Sequence, residues 1–259
     1  MEAAITPKTR AILCVHLYGN LCELNELIKI CQKYNISLIE DSAEAFGSKY
    51  FNKHVGTFGS FGVFSFHGSK TISTGEGGML VTNDRKIYEK VKVLNNHGIN
   101  RNFDKQYCPS ELGYKFKITN IQAAMGLAQI ERSKEIIQKK IKIMKFYKDY
   151  FYNHKFISFN IEPYGYKNSF WMPTAVFSSF CKVSIPSLIN EFQVNNIDAR
   201  SFFCPLSSLK FFKENKKNKI SRDIYSRAIN LPSFYDMNEN QLLKVCRIIE
   251  KTILKKSSI

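Results

Sequence analysis

A strand, a helix and a second strand follow one another near the start of the chain, and this order constrains the fold most. Residues 11–17 (AILCVHL) are a continuous apolar run that predicts a buried strand. Residues 21–34 place apolar side chains at the i, i+3, i+4 and i+7 positions counted from Leu24, the spacing of an amphipathic helix. Residues 36–40 are a second apolar strand. A βαβ unit implies a parallel sheet with a right-handed crossover, so we predict an α/β fold.

Three later segments complete the coarse prediction. Residues 118–151 carry a long helical pattern, with Thr119 as the N-cap. Residues 96–113 lack periodicity and predict a loop, and loops of this length are often functional. The basic run over 210–219 (KFFKENKKNK) predicts a solvated loop or helix end.

Functional groups collect where the predicted strands end. Asp41 directly follows the second strand, and ligands of such sheets bind at the carboxyl ends of the strands. Ser65 lies in the next apolar run, and Lys70 follows five residues later, before a glycine cluster at 75–78. Pyridoxal 5′-phosphate (PLP) needs a lysine amine, a carboxylate beside its ring nitrogen and donors for its phosphate. The structural alternatives are a surface lysine, a helix-capping Asp41 and a Ser65 hydroxyl bonded to backbone.

The stretch over 37–83, with its segments EDSAEAFGS and SFHGSK, resembles the sugar aminotransferases of the DegT/DnrJ/EryC1/StrS family. The likeness extends over nearly the whole chain, from residue 6 to residue 234. It implies an α/β, PLP-dependent transferase of fold type I (aspartate aminotransferase-like), with a mostly parallel sheet and helices. The resemblance further implies the remainder of a large PLP-binding domain over 1–152, a small C-terminal α+β domain over 153–259, and a homodimer.

The likeness is strongest to the perosamine synthase branch, which aminates a GDP-linked 4-keto-6-deoxy sugar. Many other sugar aminotransferases have a histidine where Ser207 stands in the segment PLSSL. The branch implies that glutamate supplies the amino group, that the nucleotide-linked sugar accepts it, and that the product enters polysaccharide (O-antigen, lipopolysaccharide) synthesis. Related PLP dehydratases carry histidine in place of the Schiff-base lysine, so Lys70 argues against that reaction.

The resemblance assigns roles to individual side chains. Lys70 matches the lysine that forms the Schiff base with PLP and then shuttles a proton as base and acid. Asp41 matches the carboxylate that pairs with the ring nitrogen, and Ser65 matches a phosphate donor. Glu44 stands where the family more commonly has a glutamine, whose amide contacts the cofactor's phenolic oxygen, and a glutamate there could not donate unless protonated. Lys115 stands where many relatives have an asparagine that touches the partner subunit's cofactor phosphate, and a solvated lysine is the alternative.

The resemblance also predicts a missing portion. Family members carry a substantial segment before the point where this chain begins, and it provides part of the phosphate site and an aromatic residue that stacks on the ring. The first clear family motif begins at Thr6. We therefore expect an N-terminally truncated homologue with low or absent activity on its own. The alternative to an active transaminase is a catalytically impaired homologue that acts as a binding or dimerisation module.

Composition limits the remaining classes of function. The net charge of +16 comes largely from lysines scattered through Asn- and Ile-rich sequence, without zinc-finger spacing or an RNP-like aromatic motif, so we expect no nucleic-acid partner. The seven cysteines are odd in number and lack C-x-x-C spacing, which argues against disulfides and a metal site and favours the cytoplasm. No apolar run approaches the ~20 residues of a membrane span, and the N-terminus lacks a secretory signal.

Overall fold

The computed structural model of the chain describes residues 1–100, 105, 107–181, 183–212 and 218–257. Residues 254–257 are described by their backbone alone. The predicted loop over 96–113 and the basic run over 210–219 both include residues that lie outside this description. Among the described helices, none combines the length and the apolar character that crossing a bilayer requires.

Short strands alternate with helices along most of the chain. The strands are β1 (Ala11–Val15), β2 (Ser37–Asp41), β3 (Lys49–Tyr50), β4 (Lys53–His54), β5 (Phe61–Ser65), β6 (Gly78–Val81), β7 (Ile157–Phe159), β8 (Tyr166–Lys167), β9 (Thr174–Phe177), β10 (Arg200–Ser201) and β11 (Ala228–Asn230). The helices are α1 (Leu24–Tyr34), α2 (Arg85–Leu94), α3 (Asn120–Glu131), α4 (Ser133–Tyr150), α5 (Ile185–Val194), α6 (Lys219–Arg227) and α7 (Glu239–Ser257).

The chain divides into two compact units. The first contains Met1–Glu135 and the returning segment Glu162–Trp171, and the second contains Ile136–Ile161 and Met172–Ile259. The predicted division at residue 152, between a large PLP-binding domain and a small C-terminal domain, stays a prediction.

The main sheet of the first unit has the strand order β1-β2-β5-β6. The first three strands are parallel and β6 runs antiparallel to β5, so the predicted βαβ unit and the mostly parallel sheet are confirmed. The register aligns Val15 with Asp41 and Asp41 with Val63. The carboxyl ends of β1, β2 and β5 therefore meet at one edge of the sheet.

One face of this sheet carries the core of the first unit. Leu24, Leu27 and Cys31 of α1 pack in one cluster with residues of β1 and β2, as the helical stripe predicted. Strand β1 alternates between buried and exposed positions, and Leu13 and Val15 are 60% and 42% exposed. The prediction of a fully buried β1 was wrong, because the described residues cover only one of its two faces.

The single long helix predicted over 118–151 is two helices. Thr119 forms the expected N-cap in a capping box with Gln122, which confirms the start of α3. Helix α3 ends at Glu131, Arg132 adopts a non-helical conformation (φ −93°, ψ 4°), and α4 begins at Ser133. No proline or glycine marks this break, and the apolar periodicity continues across it. The sequence pattern therefore predicted one helix instead of two.

The second unit is an antiparallel sheet of order β10-β11-β9-β7 together with helices. Its core joins Phe177 of β9, Leu188 and Phe192 of α5, Ile249 of α7 and Tyr147 of α4. This arrangement agrees with an α+β unit. Helix α6 ends at Arg227, and the chain passes directly into β11.

Two polar side chains of α4, the buried Tyr147 and the partly buried Lys140, hold the segment that follows β11. The Tyr147 hydroxyl donates to the carbonyl of Pro232 (2.9 Å), and Lys140 Nζ donates to the carbonyl (2.5 Å) and hydroxyl (3.0 Å) of Ser233. Burial lowers the pKa of Lys140 from its ordinary value to about 8.

We expect the free energy of unfolding to rise with pH between about 8 and 10, on account of Lys140. The folded chain releases this proton near pH 8, whereas an unfolded lysine keeps it to about pH 10.4. The unfolded state then binds more protons, so stability rises with pH, by at most about 3 kcal/mol. Urea unfolding followed by circular dichroism should show this rise in the parent chain and in the exposed-site control Lys142→Met, but not in Lys140→Met. Parallel pH curves for all three chains would contradict the assignment.

Candidate active site

Two candidate side chains follow neighbouring parallel strands. Asp41 ends β2, and its Oδ1 accepts a hydrogen bond from the N–H of Ala43 (3.0 Å). Ser65 ends β5, and its Oγ accepts from the N–H of His67 (3.2 Å). Since Asp41 is aligned with Val63, and Ser65 lies two residues further along the strand, both side chains share one face of the sheet.

Lys70 lies beyond the end of β5 and is in direct contact with Glu44. Its Nζ donates to Glu44 Oε1 (3.4 Å), and these side chains are only 15% and 11% exposed. The other carboxylate oxygen of Glu44 accepts from the N–H of Tyr18 (2.9 Å), in the turn after β1. The Lys70–Glu44 pair therefore joins the ends of all three parallel strands.

Trp171 contacts the Lys70 amine from another side, and no local motif of the sequence predicts this contact. Lys70 Nζ lies 3.9 Å from the centre of the Trp171 ring. The indole N–H donates to the carbonyl of Ser69 (2.7 Å), and the ring stacks on Tyr18 with centroids 6.0 Å apart. The only available signal was that Trp171 is the single tryptophan of the chain.

The returning segment Glu162–Trp171 is what brings this ring to the site. Strand β8 pairs with β3, aligning Lys167 with Lys49. Just beyond, the N–H of Ser169 donates to the Ser48 hydroxyl (3.0 Å). These contacts fix the chain two residues before Trp171, so its ring position depends on the fold and not on a local motif.

Lys115 is placed apart from the other predicted residues. It is exposed, and its backbone forms an isolated antiparallel bridge with Asn96. None of the hydrogen bonds or ion pairs seen among the described residues links Lys115 to Lys70 or Glu44. Its role at the cofactor phosphate of a neighbouring subunit stays a prediction.

A buried, hydrogen-bonded pair, Glu40 and His16, lies on the sheet face opposite Asp41. Glu40 and His16 are both fully buried, with Glu40 Oε2 3.1 Å from His16 Nε2. The same carboxylate accepts from the N–H groups of Gly56 (2.7 Å), Phe58 (2.6 Å) and Gly59 (2.7 Å). Burial alone would raise the pKa of Glu40, but these hydrogen bonds outweigh it, and the pKa lies below its ordinary value.

The protonation of His16 follows from its contacts. Its Nδ1 accepts a hydrogen bond from the N–H of Cys22 (3.2 Å), so the ring hydrogen is on Nε2 and is donated to Glu40. The backbone N–H of His16 donates to the backbone carbonyl of Asp41 (3.0 Å). Glu40 and His16 therefore hold the backbone that presents Asp41 to the opposite face.

The donor set at this edge fits PLP by its chemistry. It contains a lysine amine for the aldehyde, a carboxylate for the ring nitrogen and a hydroxyl for the phosphate, on Lys70, Asp41 and Ser65. The Gly75 backbone, at φ +76°, has open space where a side chain would begin, so it leaves room beyond the lysine.

The sequence matches the model of the DegT/DnrJ/EryC1/StrS aminotransferase family over residues 1–250, and the chain belongs to this family. It is 37% identical to the GDP-perosamine synthase of Escherichia coli O157:H7 over 252 residues, which is 97% of this chain and 68% of that protein. It is 31% identical to a putative pyridoxal phosphate-dependent aminotransferase, EpsN, of Bacillus subtilis, over 93% of this chain and 62% of that one.

Solved structures agree with the fold. The Helicobacter pylori aminotransferase PseC, involved in the biosynthesis of pseudoaminic acid, superposes with a TM-score of 0.89 and 27% identity. The match covers 98% of this chain and 70% of that one. The predicted transferase fold is therefore confirmed, and the chain is a sugar aminotransferase by family, similar to perosamine synthases.

Proposed function

We propose that the chain is a PLP-dependent aminotransferase that moves an amino group from glutamate to the C4 ketone of a GDP-linked 4-keto-6-deoxy sugar. The observation that carries the proposal is the Lys70 amine, mostly buried and held at the carboxyl edge of the parallel strands. The family supports the class of reaction, and the relative named GDP-perosamine synthase supports the substrate.

Asp41, Ser65 and Lys70 each have a defined task in this proposal. PLP, when bound, supplies an electron sink for the carbon that exchanges its amino group. Asp41 keeps the ring nitrogen protonated, and Ser65 donates to the phosphate. Lys70 would hold the cofactor through its aldehyde, and its amine would move a proton on and off the substrate carbon.

Further parts of the proposal follow from the resemblance. A homodimer would bring Lys115 of one copy to the cofactor phosphate of the other, where an ammonium group serves as a point charge. The product would feed polysaccharide synthesis, and a cytoplasmic location stays a prediction.

The substrate is tested by incubating the chain with PLP, glutamate and 4-keto-6-deoxy sugars linked to GDP, UDP or dTDP. We expect 2-oxoglutarate and an aminated sugar, measured by mass spectrometry, at a rate at least about tenfold higher with the GDP sugar. Equal or faster turnover with another nucleotide would overturn the substrate assignment. A chain that binds PLP but aminates none of these sugars would instead be the non-catalytic binding module.

A further inference from the structure

Glu44 contacts the reacting atom of the proposed site and has no assigned task. Its carboxylate lies 3.4 Å from Lys70 Nζ. The backbone N–H of Tyr18 fixes the second oxygen of this carboxylate (2.9 Å), so its orientation is set from the far side. A glutamate here cannot donate a hydrogen bond unless it is protonated, which makes it a poor replacement for an amide.

Before Lys70 Nζ can attack a carbonyl, a neighbouring base must remove one of its protons. A lysine amine is ordinarily protonated at neutral pH, and an ammonium group cannot attack a carbonyl. Trp171 covers another side of Nζ with an aromatic face, which attracts a cation but accepts no proton. Of the contacts that the structure shows for this nitrogen, the Glu44 carboxylate is the proton acceptor.

We infer that Glu44 is a catalytic proton shuttle for the bond that forms between Lys70 and an aldehyde. Glu44 takes one proton from the ammonium group, the freed amine adds to the carbonyl carbon, and Glu44 passes this proton and then a second one from the same nitrogen to the departing oxygen. The C–N bond forms, the C–O bond breaks, and the oxygen leaves as water with two of the three ammonium hydrogens. The linkage keeps the third hydrogen and a positive charge, beside a Glu44 that is a carboxylate again.

Other titratable groups near this pair have separate partners. Asp41, three residues before Glu44, accepts the Ala43 N–H through Oδ1. His67, three residues before Lys70, pairs its Nδ1 with the Ser69 hydroxyl (3.0 Å) and approaches Glu76 with Nε2 (3.7 Å). Glu44 is therefore the carboxylate in direct contact with the Lys70 amine.

The inference deepens the proposed function, but its test needs no PLP. Formaldehyde with cyanoborohydride methylates lysines through the same imine chemistry, and peptide mass spectrometry gives the rate at each site. Lys29, exposed and paired with Glu26 (2.9 Å), is an internal reference in the same digest. We compare the parent chain with Glu44→Gln, Glu44→Asp and the matched control Glu26→Gln.

At neutral pH we expect Glu44→Gln to lower the Lys70 to Lys29 rate ratio by about tenfold or more. In that variant the methylation rate of Lys70 should fall about tenfold for each unit by which the pH is lowered, because only the unprotonated amine reacts. In the parent chain the same rate should fall less steeply. Glu44→Asp should restore part of the rate, and Glu26→Gln should leave Lys70 unchanged. Circular dichroism and Trp171 fluorescence check that each variant is folded.

Equal or faster methylation of Lys70 in Glu44→Gln at every pH would overturn the inference, since Glu44 would then only stabilise the ammonium form. A failure of the proposed function gives a different result: the parent chain would show Glu44-dependent methylation of Lys70 yet form no PLP adduct there. The two hypotheses are therefore separated by one set of variants.

Discussion

Replacing Lys70 with arginine is expected to abolish covalent loading of PLP and to lower transamination by at least about 10³-fold. Arginine keeps a positive charge beside Glu44 and over the Trp171 ring, so an Arg–Glu44 ion pair replaces the Lys70–Glu44 pair of the parent. Its guanidinium stays protonated and cannot form the bond to the aldehyde. Lys70→Ala should show the same loss, with the added cost of a mostly buried Glu44 left without its cation.

Loading is measured as the visible absorbance of the imine and as a borohydride-stable adduct on the peptide that contains Lys70. Trp171 supplies a second signal, because it is the only tryptophan and its ring lies 3.9 Å from Lys70 Nζ, so PLP bound here should quench the fluorescence. The control is Lys29→Arg, an exposed lysine on α1, which should load as the parent does. Equal adduct formation in the parent and in Lys70→Arg would show that the reactive amine is elsewhere.

Spacing in the sequence predicted where the candidate side chains lie, because their positions depend on local order. Asp41, Ser65 and Lys70 each follow an apolar strand at a short fixed distance, and parallel strands bring such ends together. The contact between Lys70 and Trp171 joins residues about 100 positions apart and depends on the pairing of β8 with β3. Hydrophobic periodicity carries no information about such a contact.

The burial of the strands was harder to predict than their existence. An apolar run predicts a strand but does not say which faces are covered, and Leu13 and Val15 of β1 are exposed while Ile12 and Cys14 are buried. Glu40 is the opposite case, because it is an acidic residue that is buried within an apolar strand. Its partners, three N–H groups of the loop after β4 and the His16 ring, become evident only from the fold.

Replacing Glu40 with alanine is expected to destabilise the first compact unit by about 3–5 kcal/mol. The substitution removes the fully buried carboxylate that accepts from the N–H groups of Gly56, Phe58 and Gly59 and from the Nε2–H of His16. An unsatisfied buried donor costs about 1–3 kcal/mol, and water entering the cavity would recover part of that sum. Glu40→Gln keeps one acceptor oxygen and should lose less.

The measurement is urea unfolding followed by the fluorescence of Trp171, which is buried in the same compact unit as Glu40. Because the pKa of Glu40 is lowered by folding, its contribution is present above the unfolded value of about 4.3 and is lost as pH falls through the folded value. The unfolding midpoints of parent and Glu40→Ala should therefore converge in acid. Glu26→Ala, which removes an exposed carboxylate of α1, should match the parent throughout. A Glu40→Ala midpoint equal to that of the parent at neutral pH would mean that the loop over 56–59 finds other acceptors, and the buried carboxylate would not be what holds Asp41 in place.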